Sequence, residues 1–140
     1  VESVFFIVRH QMYPVCLEGA LKLKELSYIN ANAYPAGELK HGPIALIDKK
    51  TLTIVLVADD HVREKTLSNA QEVMARQGQI LYVSADEHLN PRLVLSVPQD
   101  KLLAPFVSIV ALQLFAYHVA LARGCSIDQP RNLAKSVTVE

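Results

Sequence analysis

Four stretches of the chain are apolar without the polar alternation of a half-exposed strand: "SVFFIVRH" (3–10), "TLTIVLVA" (51–58), "QILYVSA" (79–85) and "LVLSVP" (93–98). Runs of this kind, rich in β-branched and aromatic residues, read as strands buried on both faces. Elsewhere the pattern is helical. Residues 12–31 form one helix. Residues 60–77 form an amphipathic surface helix with Val62, Ala70, Val73 and Met74 inward and Gly78 as its C-cap. Residues 101–123 form a last helix, stopped by Gly124. The segment "AYPAGELKHGP" (33–43) holds Pro35, Gly37, Gly42 and Pro43 and reads as a structured loop. The tail "CSIDQPRNLAKSVTVE" (125–140) has no period and reads as an extended arm or loop. Unalternating strands, mostly separated by helices, predict an α/β fold: a three-layer αβα sandwich with a mainly parallel sheet of at least four strands. Sheets of this type bind ligands beyond the carboxyl ends of their strands, but the architecture alone assigns no function.

The opening helix carries the most unusual pattern. At 100° per residue, Glu18, Lys22 and Glu25 fall within about 60° of one another. Val15 and Leu26 flank that stripe on one side, and Leu17, Leu21 and Tyr28 on the other. The bland surface lies around Cys16, Ala20, Lys24 and Ser27. An exposed Glu18→Lys22 pair at i,i+4 adds only a few tenths of a kcal/mol, and charges between apolar walls cost far more unless paired or lining a wet pocket. Two readings stay open on the pattern: a Glu–Lys–Glu network that locks the helix in place, or a carboxylate and an ammonium facing a substrate.

Composition narrows the field. Lysine plus arginine equals aspartate plus glutamate at 14 each, so nothing marks a binder of nucleic acid or of an acidic membrane. Two cysteines, Cys16 and Cys125, without ligand spacing, exclude a disulfide scaffold or zinc site and fit a reducing compartment. No signal peptide opens the chain, and it begins without methionine almost directly on a strand, which reads as a piece of a longer protein. Leu102–Ala122 has no formally charged residue and is long enough to span a bilayer. Pro105, Ser108, Gln113, Tyr117 and His118 within it, and the β/α alternation before it, favour a helix buried in a core or subunit interface.

Dinucleotide, P-loop and nucleophile-elbow motifs are absent, as is any Ser/Thr-rich or Gly-rich loop suited to gripping phosphate. Asp59 and Asp60 read as N-caps rather than metal ligands. His41, in "GELKHGP", sits in a glycine-flanked turn that lets an imidazole approach a ligand, although a loop histidine is ordinarily solvated. Lys135 lies in a tail where lysines are ordinarily exposed. His10, His61, His88 and His118 have no supporting neighbours and read as structural.

At "EGALKLKELSYINANAYPAGELKHGPIALID" (18–48) and "DQPRNLAKSVTVE" (128–140) the sequence resembles the glutamine–fructose-6-phosphate aminotransferase family, the glucosamine-6-phosphate synthases. The resemblance covers all 140 residues and implies the second of two sugar-isomerase (SIS) subdomains, flavodoxin-like in fold, with an active-site tail from about residue 125 to the end. That family moves amide nitrogen from glutamine to fructose 6-phosphate and isomerises the product to glucosamine 6-phosphate. By resemblance, Glu25 of "KLKE" is the base that shifts a proton between sugar C1 and C2, and Lys22 assists near the sugar hydroxyls. His41 serves ring opening and reaches the active site of the neighbouring subunit. Lys135 approaches the sugar carbonyl, as a Schiff-base lysine or its proton-transfer equivalent, with Ala134 beside it. Glu18 matches an acid in the same helix, grouped with the substrate-binding residues and read as an anchor for Lys22. On this reading the apolar walls around the stripe desolvate a carboxylate that acts as a base.

The resemblance further implies no cofactor and no metal, a homodimer, a cytoplasmic location, and no nucleic-acid or membrane partner. The glutaminase domain and the first SIS subdomain, with its phosphate loops, are missing from these 140 residues, so the excised chain is expected to be inactive. One departure stands near the start, where "VRHQMYP" (8–14) puts Val8 and His10 in place of the family's two turn glycines. The alternatives are a stand-alone SIS module that senses a sugar phosphate without catalysis, or a related phosphosugar isomerase or deglycase.

Overall fold

The computed structural model describes residue 1, residues 3–89 and residues 94–133. Ala134 and Lys135 lie outside the described residues. The sheet has five strands: β1 (Ser3–Val8), β2 (Asn30–Pro35), β3 (Thr51–Val57), β4 (Gln79–Ser84) and β5 (Val94–Ser96). All pair in parallel, in the order β2-β1-β3-β4-β5. Three α-helices cover it: α1 (Tyr13–Ser27), α2 (Arg63–Met74) and α3 (Ala104–Ala122).

Alternate residues of the central strand β1 feed two cores. Val4, Phe6 and Val8 meet Val15, Cys16, Ala20 and Leu23 of α1 and Leu112 and Ala116 of α3. Phe5 and Ile7 point the other way, to Ala36, Leu39, Ala70 and Val73. One outer layer is therefore α1 with α3, and the other is α2 with the crossover that follows β2. Burial on both faces explains why β1, β3 and β4 read as continuous apolar runs.

The strand absent from the sequence reading is β2. Its "NANAYP" has little β propensity, and Ala31 alone among its six residues is buried. As the edge strand it needs only one partner, and its register against β1 runs from Ser3↔Asn30 to Val8↔Pro35. Pro35 at the end of an edge strand takes no ladder hydrogen bond from it. The "structured loop" is thus the end of β2 followed by two short 3₁₀ segments, Ala36–His41 and Pro43–Leu46.

Three helix details also differ. The face of α1 read as bland, around Cys16, Ala20 and Ser27, is the core face: these residues are 0, 4 and 0% exposed, whereas Leu17 and Leu21 stand in the open. Small side chains here let helices and sheet approach closely. A Cβ on Gly19 would lie 2.6 Å from Leu112 Cδ1 and 3.1 Å from Phe6. Helix α2 turns Ala70 and Val73 inward as expected, but Met74 is exposed. The left-handed residue that ends α2 is Gln77, φ 65°, not Gly78. Gly78 is needed because a Cβ there would sit 2.6 Å from Val73 and 2.7 Å from Ile47. Asp60 does not cap α2 directly; its Oδ1 accepts from the Val62 N–H one turn earlier, while Asp59 pairs with Lys101 at 3.6 Å.

Helix α3 ends where Gly124 turns left-handed, at φ 68°. It is long and apolar enough to cross a membrane by length and composition. Within the fold only a narrow stripe of it is buried: Ser108, Leu112, Ala116 and Ala120, at i,i+4 spacing. Phe106, Val110, Leu114 and Leu121 remain exposed.

Candidate active site

Because β1 and β2 are parallel, α1 between them runs antiparallel to the strands. Its first turn lies at the carboxyl ends of the sheet and its last turn at the amino ends. Glu18, Lys22 and Glu25 descend that helix along one face, each side chain about a quarter to a third exposed: 31, 32 and 26%. The Lys22 ammonium donates to Glu25 Oε2 at 2.8 Å and stands 3.9 Å from Glu18 Oε1. The hydrogen bond to Glu25 raises the Lys22 pKa above the usual lysine range, partial burial opposes that rise, and the two carboxylate charges add to it. Lys22 is thus a fixed cation that orients Glu25. The apolar walls expected around the stripe do not form within this subdomain, since Leu17 and Leu21 are exposed.

Glu25 lines a cleft of about 290 Å³ together with Leu21, Lys24, Tyr28, Arg131, Asn132 and Leu133. The described tail therefore comes down beside the candidate base, 106 residues later in the chain. Tyr28, the residue ending α1, is left-handed at φ 60°. Its hydroxyl accepts from the Arg131 backbone N–H at 3.0 Å, and the Arg131 guanidinium lies 4.1 Å over its ring. Sequence reading placed Tyr28 in an apolar wall and passed over Arg131. The only signal for either was the tail motif itself, because a contact across 103 residues has no local signature.

His41 is exposed at the end of its 3₁₀ segment, followed by Gly42 at φ 150°. That segment packs in the layer of α2, where the neighbouring Lys40 pairs with Glu72 at 3.0 Å. The sheet separates it from α1. The structure thus brings together Glu18, Lys22 and Glu25, and leaves His41 in the opposite layer.

The carboxyl ends of β1 and β3 hold a different cavity, of about 180 Å³, whose lining includes Gln11, Asp59, Asp60 and Ser108. None of Glu18, Lys22, Glu25 or His41 lines it. The substituted turn after β1 is also accounted for there. Val8 is an ordinary strand residue, and His10 takes the left-handed conformation at φ 62°. His10 and His61 are not without neighbours: their rings stack edge to face at 4.9 Å. Among the described residues no group of three His, Cys, Asp or Glu side chains could hold a metal. Burial pushes the Cys16 thiol far up, so it is an inert core residue.

A family model, the SIS domain, matches residues 1–123. The chain belongs to the SIS domain family. This SIS chain is 55% identical to the glutamine–fructose-6-phosphate aminotransferase [isomerizing] of Methanosarcina acetivorans, covering 99% of the chain and 23% of that protein. It is 57% identical to the enzyme of the same name from Thermus thermophilus, over 96% of the chain and 23% of the relative. The SIS chain thus spans about a quarter of the length of these curated relatives. Among solved structures it superposes on the C-terminal domain of glucosamine-fructose-6-phosphate aminotransferase from Francisella tularensis with a TM-score of 0.85 at 45% identity, covering 91% of this chain and 38% of that one. It also matches glucosamine-6-phosphate deaminase from Thermotoga maritima, with a TM-score of 0.77 at 28% identity, over 97% and 40% of the two chains.

Proposed function

We propose that the chain is the C-terminal SIS subdomain of an isomerising glutamine–fructose-6-phosphate aminotransferase and contributes part of the site that forms glucosamine 6-phosphate. The observation that carries this is the Lys22–Glu25 pair in a cleft shared with the tail, within a chain more than half identical to such enzymes.

The chemistry fits the residues. Nitrogen delivered to the C2 carbonyl of fructose 6-phosphate leaves a hydrogen on C1 that must end on C2. One carboxylate can take it from C1 and return it to C2, with no net redox change. Glu25 is assigned that role, and Lys22 fixes its carboxylate and faces the sugar hydroxyls. Glu18 completes the anchor on Lys22. Lys135 is assigned to the sugar carbonyl, where an amine can form an imine by loss of water and acidify the adjacent C–H, with Ala134 beside it. His41 is assigned to ring opening. Since the sheet parts it from Glu25, the His41 that serves a given Glu25 comes from another copy, which makes the working enzyme a homodimer. Phosphate is gripped by the part of the full-length protein that precedes this chain. Two free cysteines, one of them buried, accord with a cytoplasmic enzyme.

The test is Glu25→Gln in the full-length enzyme, which keeps the side chain's size while removing the basic oxygen. Glucosamine 6-phosphate formation falls by about 10²–10⁴-fold with glutamine hydrolysis retained. Undiminished synthesis per folded molecule, with only a lowered melting temperature, would reduce the stripe to a helix lock.

A further inference from the structure

A tyrosine at a left-handed helix end is unexpected. Glycine fills that position at no steric cost, and a side chain there is strained. At Tyr28 the strained backbone, with its N–H donating to the Lys24 carbonyl at 3.1 Å, aims the ring across the end of α1. What the ring meets is the tail. Its hydroxyl takes the Arg131 N–H and its face carries the Arg131 guanidinium, so one side chain grips the same residue twice. A second, weaker tie lies upstream, where the Cys125 thiol approaches the Ser27 carbonyl at 4.0 Å. Both ties fix the chain leaving α3 to the last turn of α1, immediately beside Glu25.

We propose that Tyr28, through Arg131, is a positioning residue that delivers Lys135 to Glu25. The proposal rests on the role assigned to Lys135 above. Leu133 lines the Glu25 cleft, and two further residues extend the chain by at most about 7 Å. With residue 131 clamped, the lysine amine searches a small volume around the Glu25 carboxylate. Without the clamp it searches the reach of a nine-residue arm from α3. The clasp therefore acts on the orientation of a reacting group and not on substrate affinity.

The experiment uses the full-length aminotransferase with Tyr28→Phe, which keeps the ring but loses the acceptor, Tyr28→Leu, which loses both, and Arg131→Ala. Amide exchange at Arg131, read by mass spectrometry, quickens by about tenfold or more in Tyr28→Phe, because the opened amide has lost its partner. In Tyr28→Leu, kcat for glucosamine 6-phosphate formation drops about 10-fold or more while KM for fructose 6-phosphate and glutamine hydrolysis hold, with Tyr28→Phe and Arg131→Ala between it and the parent. Added to Lys135→Ala, Tyr28→Leu costs nothing further, because both act through one group. Unchanged exchange at Arg131 overturns the clasp alone. A full additional loss in the Lys135→Ala background overturns its positioning role. Full kcat in Lys135→Ala by itself overturns the clasp together with the role of the lysine on which it rests.

Discussion

At the residue scale, the site's most informative feature is that its charges are tied in a fixed order. Lys22 sits between two acids but hydrogen-bonds Glu25, which sets the orientation of one carboxylate and leaves Glu18 at 3.9 Å as support. This much was legible, since residues three and four apart on a helix must meet. Tyr28 and Arg131 were not, because the left-handed turn and the returning tail exist only in the fold. The same holds for Asp86. It accepts the His88 N–H at 2.9 Å and pairs with Arg63 at the start of α2. First the His88 hydrogen bond and then Arg63 lower its pKa below the usual carboxylate value of 3.8. A depressed carboxylate stabilises the fold above its unfolded-state pKa, and that contribution vanishes as pH falls through the folded-state value. Asp86→Asn should accordingly melt below the parent at pH 7, with the gap closing as pH falls beneath the ordinary carboxylate range. A gap that persists undiminished into strong acid, followed by circular dichroism, would show that the charge contributes nothing.

At the element scale, the continuous apolar runs predicted β1, β3, β4 and β5 and hence a parallel sheet, because strands covered on both faces show no alternation. Strand β2 escaped for the converse reason: an edge strand with one buried residue looks like a loop. The orientation of α1 was misread because its core face is built from Cys16, Gly19, Ala20 and Ser27 instead of large apolar residues. The buried Ser27 hydroxyl is satisfied by the Leu23 carbonyl at 2.6 Å. Gly19 tests this close packing. Alanine is the better helix former by about 1 kcal/mol, yet its methyl would press on Leu112, which is 1% exposed, and on Phe6. Overpacking of this kind costs about 1–3 kcal/mol, so Gly19→Ala should destabilise the fold in urea unfolding, and adding Leu112→Ala should recover part of the loss of close contact. A stabilised Gly19→Ala would mean that α1 and α3 have room to separate.

At the scale of the whole molecule, the chain supplies part of a site. The candidate base, its lysine and the tail meet at the amino ends of the strands, while the larger polar cavity of the sheet's opposite edge takes none of them. His41 belongs to the other layer. The roles of Lys135 and Ala134 were read from a resemblance in the tail, not from any pattern that physical reasoning could reach, and both residues fall outside the described structure. The exposed apolar face of α3, with Phe106, Val110 and Leu114, fits a subdomain that works inside a larger assembly. The account's central claim is that one sugar-isomerising centre draws Glu25 from one copy and His41 from another. Its most direct test mixes two inactive full-length variants, Glu25→Gln and His41→Ala, under conditions that let dimers exchange. Random re-pairing gives half mixed dimers, each with one intact centre out of two, so glucosamine 6-phosphate formation should return to about a quarter of the parent rate. A mixture that stays as inactive as its components would contradict the account and place Glu25 and His41 in the same copy's site, or on separate tasks.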